Sequence, residues 1–265
     1  MRILSWNIAH RVEPWRALAQ DRTFDIALLQ EATAPPTELR FDVFPDPSGW
    51  GPNFRTAIVC RPGQHTVTFL STAPIGRAGR GVVPESRPGT VAAVEHTLAS
   101  GEVVTLVSIY AHWENPTAES GWIVADASAH RLISDISLLI GRERGHRMIV
   151  AGDLNLLYGY GENGSRYWGG RYETVFTRMA AIGLPFVGPQ FPNGLQAEPW
   201  PDELPRESKN VPTFRPASGL ASRQLDYVFA SHELVPRLRV RALNKPEEWG
   251  PSDHCRVEVE LDEQG

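Results

Sequence analysis

The sequence predicts an α/β fold, and three observations carry that prediction. Apolar runs of strand length alternate with amphipathic helical spacing. The strongest runs each finish in a polar residue. Residues 2–8 run towards Asn7, residues 24–30 close on Glu31, and residues 148–151 lead into Gly152-Asp153-Leu154-Asn155. In an open α/β sheet, ligand chemistry collects at the carboxyl ends of the strands, so one shared edge is expected to hold these side chains. The chain of 265 residues is long enough for a large core. No linker, low-complexity tract or repeat divides it, so one domain over 1–265 is expected.

Composition narrows the function classes. The apolar (42%) and charged (22%) fractions are those of a globular protein. The formal net charge of −5 gives no global basic field for nucleic acid or an anionic membrane, although it leaves room for a local basic cleft. Cys60 and Cys255 lie far apart with no metal or redox spacing, which suits buried thiols in a reducing compartment. The first residues enter a strand pattern directly, without a signal-like apolar region, and no run approaches a membrane span. A cytoplasmic protein without an integral membrane segment is expected, and a monomer.

Taken in order, residues 2–8 form a buried strand. Residues 13–19 have the spacing of a short helix, with Pro14 in its first turn. Residues 24–30 form a second buried strand, where the carboxylate of Glu31 is costly unless it meets a cation. Residues 56–59, 66–70 and 90–96 read as strands, and Arg77, Arg80 and Arg87 fall in a solvated loop between the last two. Residues 103–110 are a strong strand ending at Tyr110, followed by His112 and Trp113. Residues 121–140 carry the clearest helical spacing in the chain, with His130 as a packing or surface residue, and residues 173–182 are helical again. Residues 158–224 are otherwise irregular and rich in Gly, Pro and aromatics, with Arg166, Arg171, Arg215 and Arg223 among them. Connections of such length are functional or disordered, and the aromatic content argues for an ordered surround of the site. Residues 225–230 form a strand with Asp226 at its entry. Residues 234–243 form an edge strand marked by Pro236, and 256–261 the last strand, fed by Asp253 and His254.

Asn7, Glu31, Tyr110, Asp153, Asn155, Asp226, Asp253 and His254 thus stand at strand termini along the whole chain. Their donors are mostly oxygen, which favours Mg²⁺, Mn²⁺ or Ca²⁺ over zinc. In this setting Ser5-Trp6-Asn7-Ile8, Leu29-Gln30-Glu31, Tyr110 with His112, Gly152-Asp153-Leu154-Asn155, Leu225-Asp226-Tyr227-Val228 and Ser252-Asp253-His254 resemble the endonuclease/exonuclease/phosphatase (DNase I-like) superfamily, motif by motif and in family order. The resemblance implies a four-layer α/β sandwich, two mixed sheets packed face to face with helices outside. It also implies Glu31, Asn7 and Asp253 around a metal, Mg²⁺ first and Mn²⁺ or Ca²⁺ as alternatives. His254, oriented by Asp226, is implied as general base or as a phosphate-binding group, with Asp153 as the rival base. Asn155 orients water or phosphate, and Tyr110, with His112, stabilises the phosphate or leaving group.

A metal-dependent phosphoesterase is the expected function, first of all a nuclease on DNA or RNA. Arg166, Arg171, Arg215 and Arg223 are candidates for phosphate contacts and Trp113 for base stacking. A phosphatase or phosphodiesterase for a small molecule or lipid head group is the alternative. A catalytically silent binding protein is the third class, and it requires a missing ligand or dyad member, which the sequence does not display.

Overall fold

The computed structural model describes residues 1–50, 55–63, 67–115, 124–140, 146–217 and 219–264. In chain order these form β1 (Arg2–Asn7), α1 (Glu13–Gln20), β2 (Ile26–Ala32), β3 (Asp42–Phe44), β4 (Arg55–Cys60), β5 (Val67–Leu70), β6 (Thr72–Pro74), β7 (Val83–Glu85), β8 (Val91–Thr97) and β9 (Val103–Tyr110). There follow α2 (Asp126–Ile140), β10 (Met148–Asp153), α3 (Arg166–Ala181), β11 (Phe186–Gly188), β12 (Asp226–Ala230), β13 (Leu238–Leu243) and β14 (Arg256–Leu261). One six-stranded sheet runs β13-β14-β1-β2-β4-β3, a second runs β11-β12-β10-β9-β8-β5, and β6 pairs with β7 apart from both. Each large sheet is mixed: β1–β2 and β9–β10 are parallel, among antiparallel neighbours.

The layers follow from residues of period two that are apolar on both faces. Ile3, Ile26, Leu28, Ile58, Val257 and Val259 of the first sheet meet Val94, Leu106, Ile149, Ala151 and Val228 of the second in one cluster between the sheets. The alternate residues Leu4, Trp6, Ala27, Leu29, Ala57 and Val59 turn outward to Trp15 and Leu18 of α1. On the far side, Val107, Ile109, Val150, Tyr227 and Phe229 meet Ala129, Leu132 and Ile136 of α2 and Val175, Phe176 and Met179 of α3. The result is helix, sheet, sheet, helix: the four-layer sandwich. Truncating a side chain of the central cluster, such as Leu28 to Ala, costs about 2–5 kcal/mol in a core packed on every side.

The elements depart from expectation at a few ends. Glu31 lies inside β2, which continues to Ala32, rather than closing it. The helix expected from 121 starts at Asp126, residues 121–123 falling outside the described residues, as does Thr66 of the strand that begins at Val67. α3 begins at Arg166 instead of 173 because Ser165 caps it, its hydroxyl accepting from Trp168 N. Pro236 sits in a 3₁₀ turn, Val235–Arg237, that delivers β13 to the sheet edge. Cys60 and Cys255 are both free and buried. No helix among the described residues is long and apolar enough to cross a membrane.

Candidate active site

The site occupies the place where the space between the sheets changes from apolar to polar. Continuing the inward-facing positions of each strand gives Ser5 and Asn7 on β1, Gln30 on β2, Ser108 and Tyr110 on β9, Asp153 on β10 and Asp226 on β12, all buried. Register places them at one end. Asn7 pairs with Gln30, while Asp153 pairs with Tyr110 on one side and with Asp226 on the other. Gly152 permits this closeness, because a Cβ there would run into the Ile109 carbonyl of β9. Below the cluster, Gln30 Nε2 donates to Ser108 Oγ at 2.9 Å, and Ser108 Oγ to the Leu29 carbonyl at 2.9 Å, bridging the two sheets.

Glu31 reaches the same cavity by breaking the alternation. The β2–β4 register shifts between Leu29 and Ala32, and Glu31 takes the left-handed conformation with φ 48°. Such a backbone is costly for a residue with a Cβ and clusters at functional sites. Asn7 Nδ2 then donates to Glu31 Oε1 and to Asp153 Oδ2, both at 2.9 Å, so one amide ties β1, β2 and β10 together. Its Oδ1 accepts from Ala9 N at 3.0 Å. The Asn7 oxygen thus also accepts from the backbone, and its nitrogen faces the carboxylates. Glu31 Oε2 lies 2.8 Å from Nε2 of His10, a residue that no sequence motif marked.

Asp253 and His254 arrive on the loop before β14, which pairs antiparallel with β1 and therefore starts at this end. Trp6 Nε1 donates to the His254 carbonyl at 3.0 Å, and Ser252 Oγ to the Asn7 carbonyl at 2.7 Å. The His254 ring packs on Phe214, with centroids 5.1 Å apart. Its Nδ1 lies 2.8 Å from Asp226 Oδ2, and its Nε2 lies 3.9 Å from Asp153 Oδ2. Burial opposes charge on the imidazole, but Asp226, and after it Asp153 and Asp253, outweigh burial and push its pKa up to about 10. Burial raises the Asp153 carboxyl to about 8, with His254 pulling it down and Asp226 and Glu31 pushing it up.

Tyr110 and Asn155 complete the wall. Burial, followed by Asp153 and Glu31, raises the Tyr110 phenol far above its usual range, so it stays protonated as a hydrogen-bond donor. Glu31 and Asn155 are its side-chain partners. Asn155 N donates to Asp153 Oδ1 at 2.8 Å, and Asn155 Nδ2 to the Ala111 carbonyl at 2.9 Å. His112 packs edge-on to Tyr110 with centroids 4.6 Å apart. Burial, then the Arg87 charge, pushes His112 down to about 4, so its imidazole is neutral at pH 7.

The surround at 158–224 separates into two groups. Arg171 is committed to Asp126: Nε and Nη2 grip it at 2.7 and 2.9 Å, and the guanidinium lies 4.8 Å from the Trp168 ring centre. It joins α3 to α2, as does the His130 contact with Thr174 at 3.0 Å. Arg215 is exposed, donates its backbone N–H to the Asp253 carbonyl at 2.8 Å, and lies 4.9 Å from the Trp249 ring centre. Arg215, Trp200, Leu220 and Trp249 border a cavity of about 660 Å³. Arg166 borders a separate cavity of about 520 Å³ with Tyr158 and Glu203. Arg223 is half-buried with its charge near Tyr160, and Trp113 is exposed. A larger cavity of about 950 Å³, by Met1, Glu102 and Glu263, lies at the opposite end of the strands from the carboxylates.

The chain matches the model of the Endonuclease/Exonuclease/phosphatase family over residues 4–254. Among solved structures it is similar to the catalytic domain of Xenopus laevis APE2, at 17% identity and TM-score 0.65, covering 98% of this chain and 91% of that one. It is also similar to the endonuclease domain of TRAS1, a telomere-specific non-LTR retrotransposon, at 17% identity and TM-score 0.64, covering 98% and 97%. A third is the 3′ phosphatase NExo from Neisseria bound to a product DNA hairpin, at 15% identity and TM-score 0.63, covering 99% of each chain. No curated protein matches the sequence. At such identities the solved structures speak for the fold, and the family match spans the site residues from Asn7 to His254: the chain belongs to the Endonuclease/Exonuclease/phosphatase family of metal-dependent phosphoester hydrolases.

Proposed function

We propose that the protein is a nuclease that cleaves phosphodiester bonds of DNA or RNA, with Mg²⁺ or Mn²⁺ held at Glu31. The observation that carries this reading is the continuous hydrogen-bonded array Glu31–Asn7–Asp153 facing the His254–Asp226 pair. The donors suit a hard cation that keeps most of its waters, because Mg²⁺ is usually held by one or two carboxylates and the substrate phosphate. Glu31 supplies the carboxylate here, and Asp253 is the candidate second oxygen. A cation held there would neutralise charge on the phosphoryl oxygens.

The chain's own groups divide the remaining work. Asp153, with Oδ2 held by Asn7 and Oδ1 by Asn155, takes the proton of the attacking water. A carboxyl raised to about 8 suits that task near neutral pH. His254, kept cationic by Asp226, binds a phosphate oxygen from Nε2. The Tyr110 phenol donates to the phosphate or leaving oxygen. Exposed Arg166, Arg215 and Trp113 are suited to the flanking phosphates and bases.

The cavity beside Trp249 favours a second reading, an aryl or nucleotide phosphodiester of small size. The test is a panel of plasmid DNA, single strands, RNA, phosphoinositide, sphingomyelin and a generic aryl phosphodiester, each with Mg²⁺ or Mn²⁺. Turnover of the polymers above the small esters supports the nuclease. Turnover of the small esters alone replaces it with the second reading.

A further inference from the structure

We propose that His10 is a nitrogen ligand to the cation at Glu31 and biases the site towards Mn²⁺ over Mg²⁺. This rests on the reading of Glu31 as a metal carboxylate and extends it. His10 Nε2 lies 2.8 Å from Glu31 Oε2, while the other carboxylate oxygen is held by Asn7. Two ligand atoms that sit cis on an octahedral cation at about 2.1 Å are ~3.0 Å apart, close to the separation already present.

The backbone is bent to make this pair. Ala9 and His10 are successive left-handed residues, with φ 50° and 59°, and Glu31 is left-handed too. His10 N donates to the Glu31 carbonyl at 3.0 Å, which locks the two strained segments together. The His10 side chain is 41% exposed, and an ion pair that open to water contributes little stability. The strained backbone therefore has no stabilising return in the contact itself, and strain of this kind collects at ligand clamps. Imidazole suits Zn²⁺, Cu²⁺, Fe²⁺ and Ni²⁺ above all, and of the two ions expected at this oxygen-rich site Mn²⁺, as a first-row transition ion, accepts it more readily than the hard Mg²⁺. The nitrogen beside Glu31 thus adds affinity for Mn²⁺ that Mg²⁺ does not share.

The test is pulsed electron paramagnetic resonance of the Mn²⁺-loaded full chain, with calorimetric titration of Mn²⁺ and Mg²⁺, in the wild type and in His10→Gln and His112→Gln. Expected are ¹⁴N couplings from a bound imidazole that persist in His112→Gln and vanish in His10→Gln, with a loss of about tenfold or more in Mn²⁺ affinity and a smaller change for Mg²⁺. Bound Mn²⁺ without ¹⁴N coupling in the wild type, or coupling unchanged in His10→Gln, overturns the role of His10 and leaves Glu31 as the metal carboxylate. Failure of the wild type to bind either ion at millimolar concentration overturns both.

Discussion

His254 Nδ1 and Asp226 Oδ2 are 2.8 Å apart in a pocket that leaves both side chains almost completely buried. The contact fixes which imidazole nitrogen faces the carboxylate and turns Nε2 towards Asp153. It joins β12 to the loop before β14, two segments that meet only through the fold.

That pairing predicts non-additive kinetics. His254→Ala is expected to lower kcat by roughly 10²-fold or more. Asp226→Asn is expected to act through His254, so its effect should largely disappear in the double variant. Steady-state rates of the four proteins give the coupling, and fully additive losses would separate the two residues.

Glu31→Gln removes the carboxylate charge while keeping the amide shape beside Asn7 and His10. The expected result is loss of metal-dependent hydrolysis, with weakened Mg²⁺ binding by calorimetry and an unchanged circular dichroism spectrum. Wild-type turnover at saturating Mg²⁺ would refute the assignment.

The rate of reaction is expected to carry two limbs in pH. With Asp153 as proton acceptor, kcat/KM rises as pH rises through the Asp153 pKa, which is about 8 in the metal-free protein and is lowered by a cation at Glu31. It falls again as His254 loses its proton near 10. Asp153→Asn is expected to lower the rate by 10²-fold or more and abolish the acid limb. An acid limb that survives in the residual activity would reassign the base.

Stability of the metal-free protein is expected to decline with pH over the same range. The folded pKa of His254 is raised, so its contribution is complete below the unfolded value of 6.5 and is lost as pH rises through about 10. The folded pKa of Asp153 is also raised, so the folded state holds an extra proton between 3.8 and about 8, and stability falls with rising pH there too. Each retained proton gives a slope of up to about 1.4 kcal/mol per pH unit. Thermal denaturation from pH 5 to 10 checks this: Asp153→Asn should flatten the lower part of the decline and His254→Gln the upper.

Arg171→Ala is expected to cost about 1–3 kcal/mol of stability, since it leaves the Asp126 carboxylate buried without its partner. KM for a nucleic acid should stay within about twofold of the wild type, as the guanidinium is already committed. Urea melts and steady-state kinetics separate these outcomes, and a raised KM with unchanged stability would restore Arg171 to the substrate side.

The sequence made the buried strands and their polar ends legible because each strand alternates over two apolar faces, so a polar side chain at Asn7, Asp153 or Asp226 stands out. What it hid depends on backbone conformation or on distant partners. Glu31 turns inward through a left-handed residue and a register shift, neither of which a residue type announces. His10 stands in a loop without a motif and gains meaning only where β1 and β2 meet. Arg171 reads as an available cation until α2 brings Asp126 against it. The first turns of α3 were obscured by Gly169 and Gly170, although a Cβ at Gly169 would lie only 3.3 Å from Gly161 N, a closeness that favours glycine there. The short β3, β6 and β7 are three residues each, too brief for alternation to register.

The bonds from Trp6 to His254 and from Ser252 to Asn7 fasten the beginning of the chain to a segment made almost 250 residues later. During synthesis, the early strands emerge with Asn7, His10 and Glu31 long before His254 can join them. The polar cluster is therefore complete only when the final strand pairs beside the first.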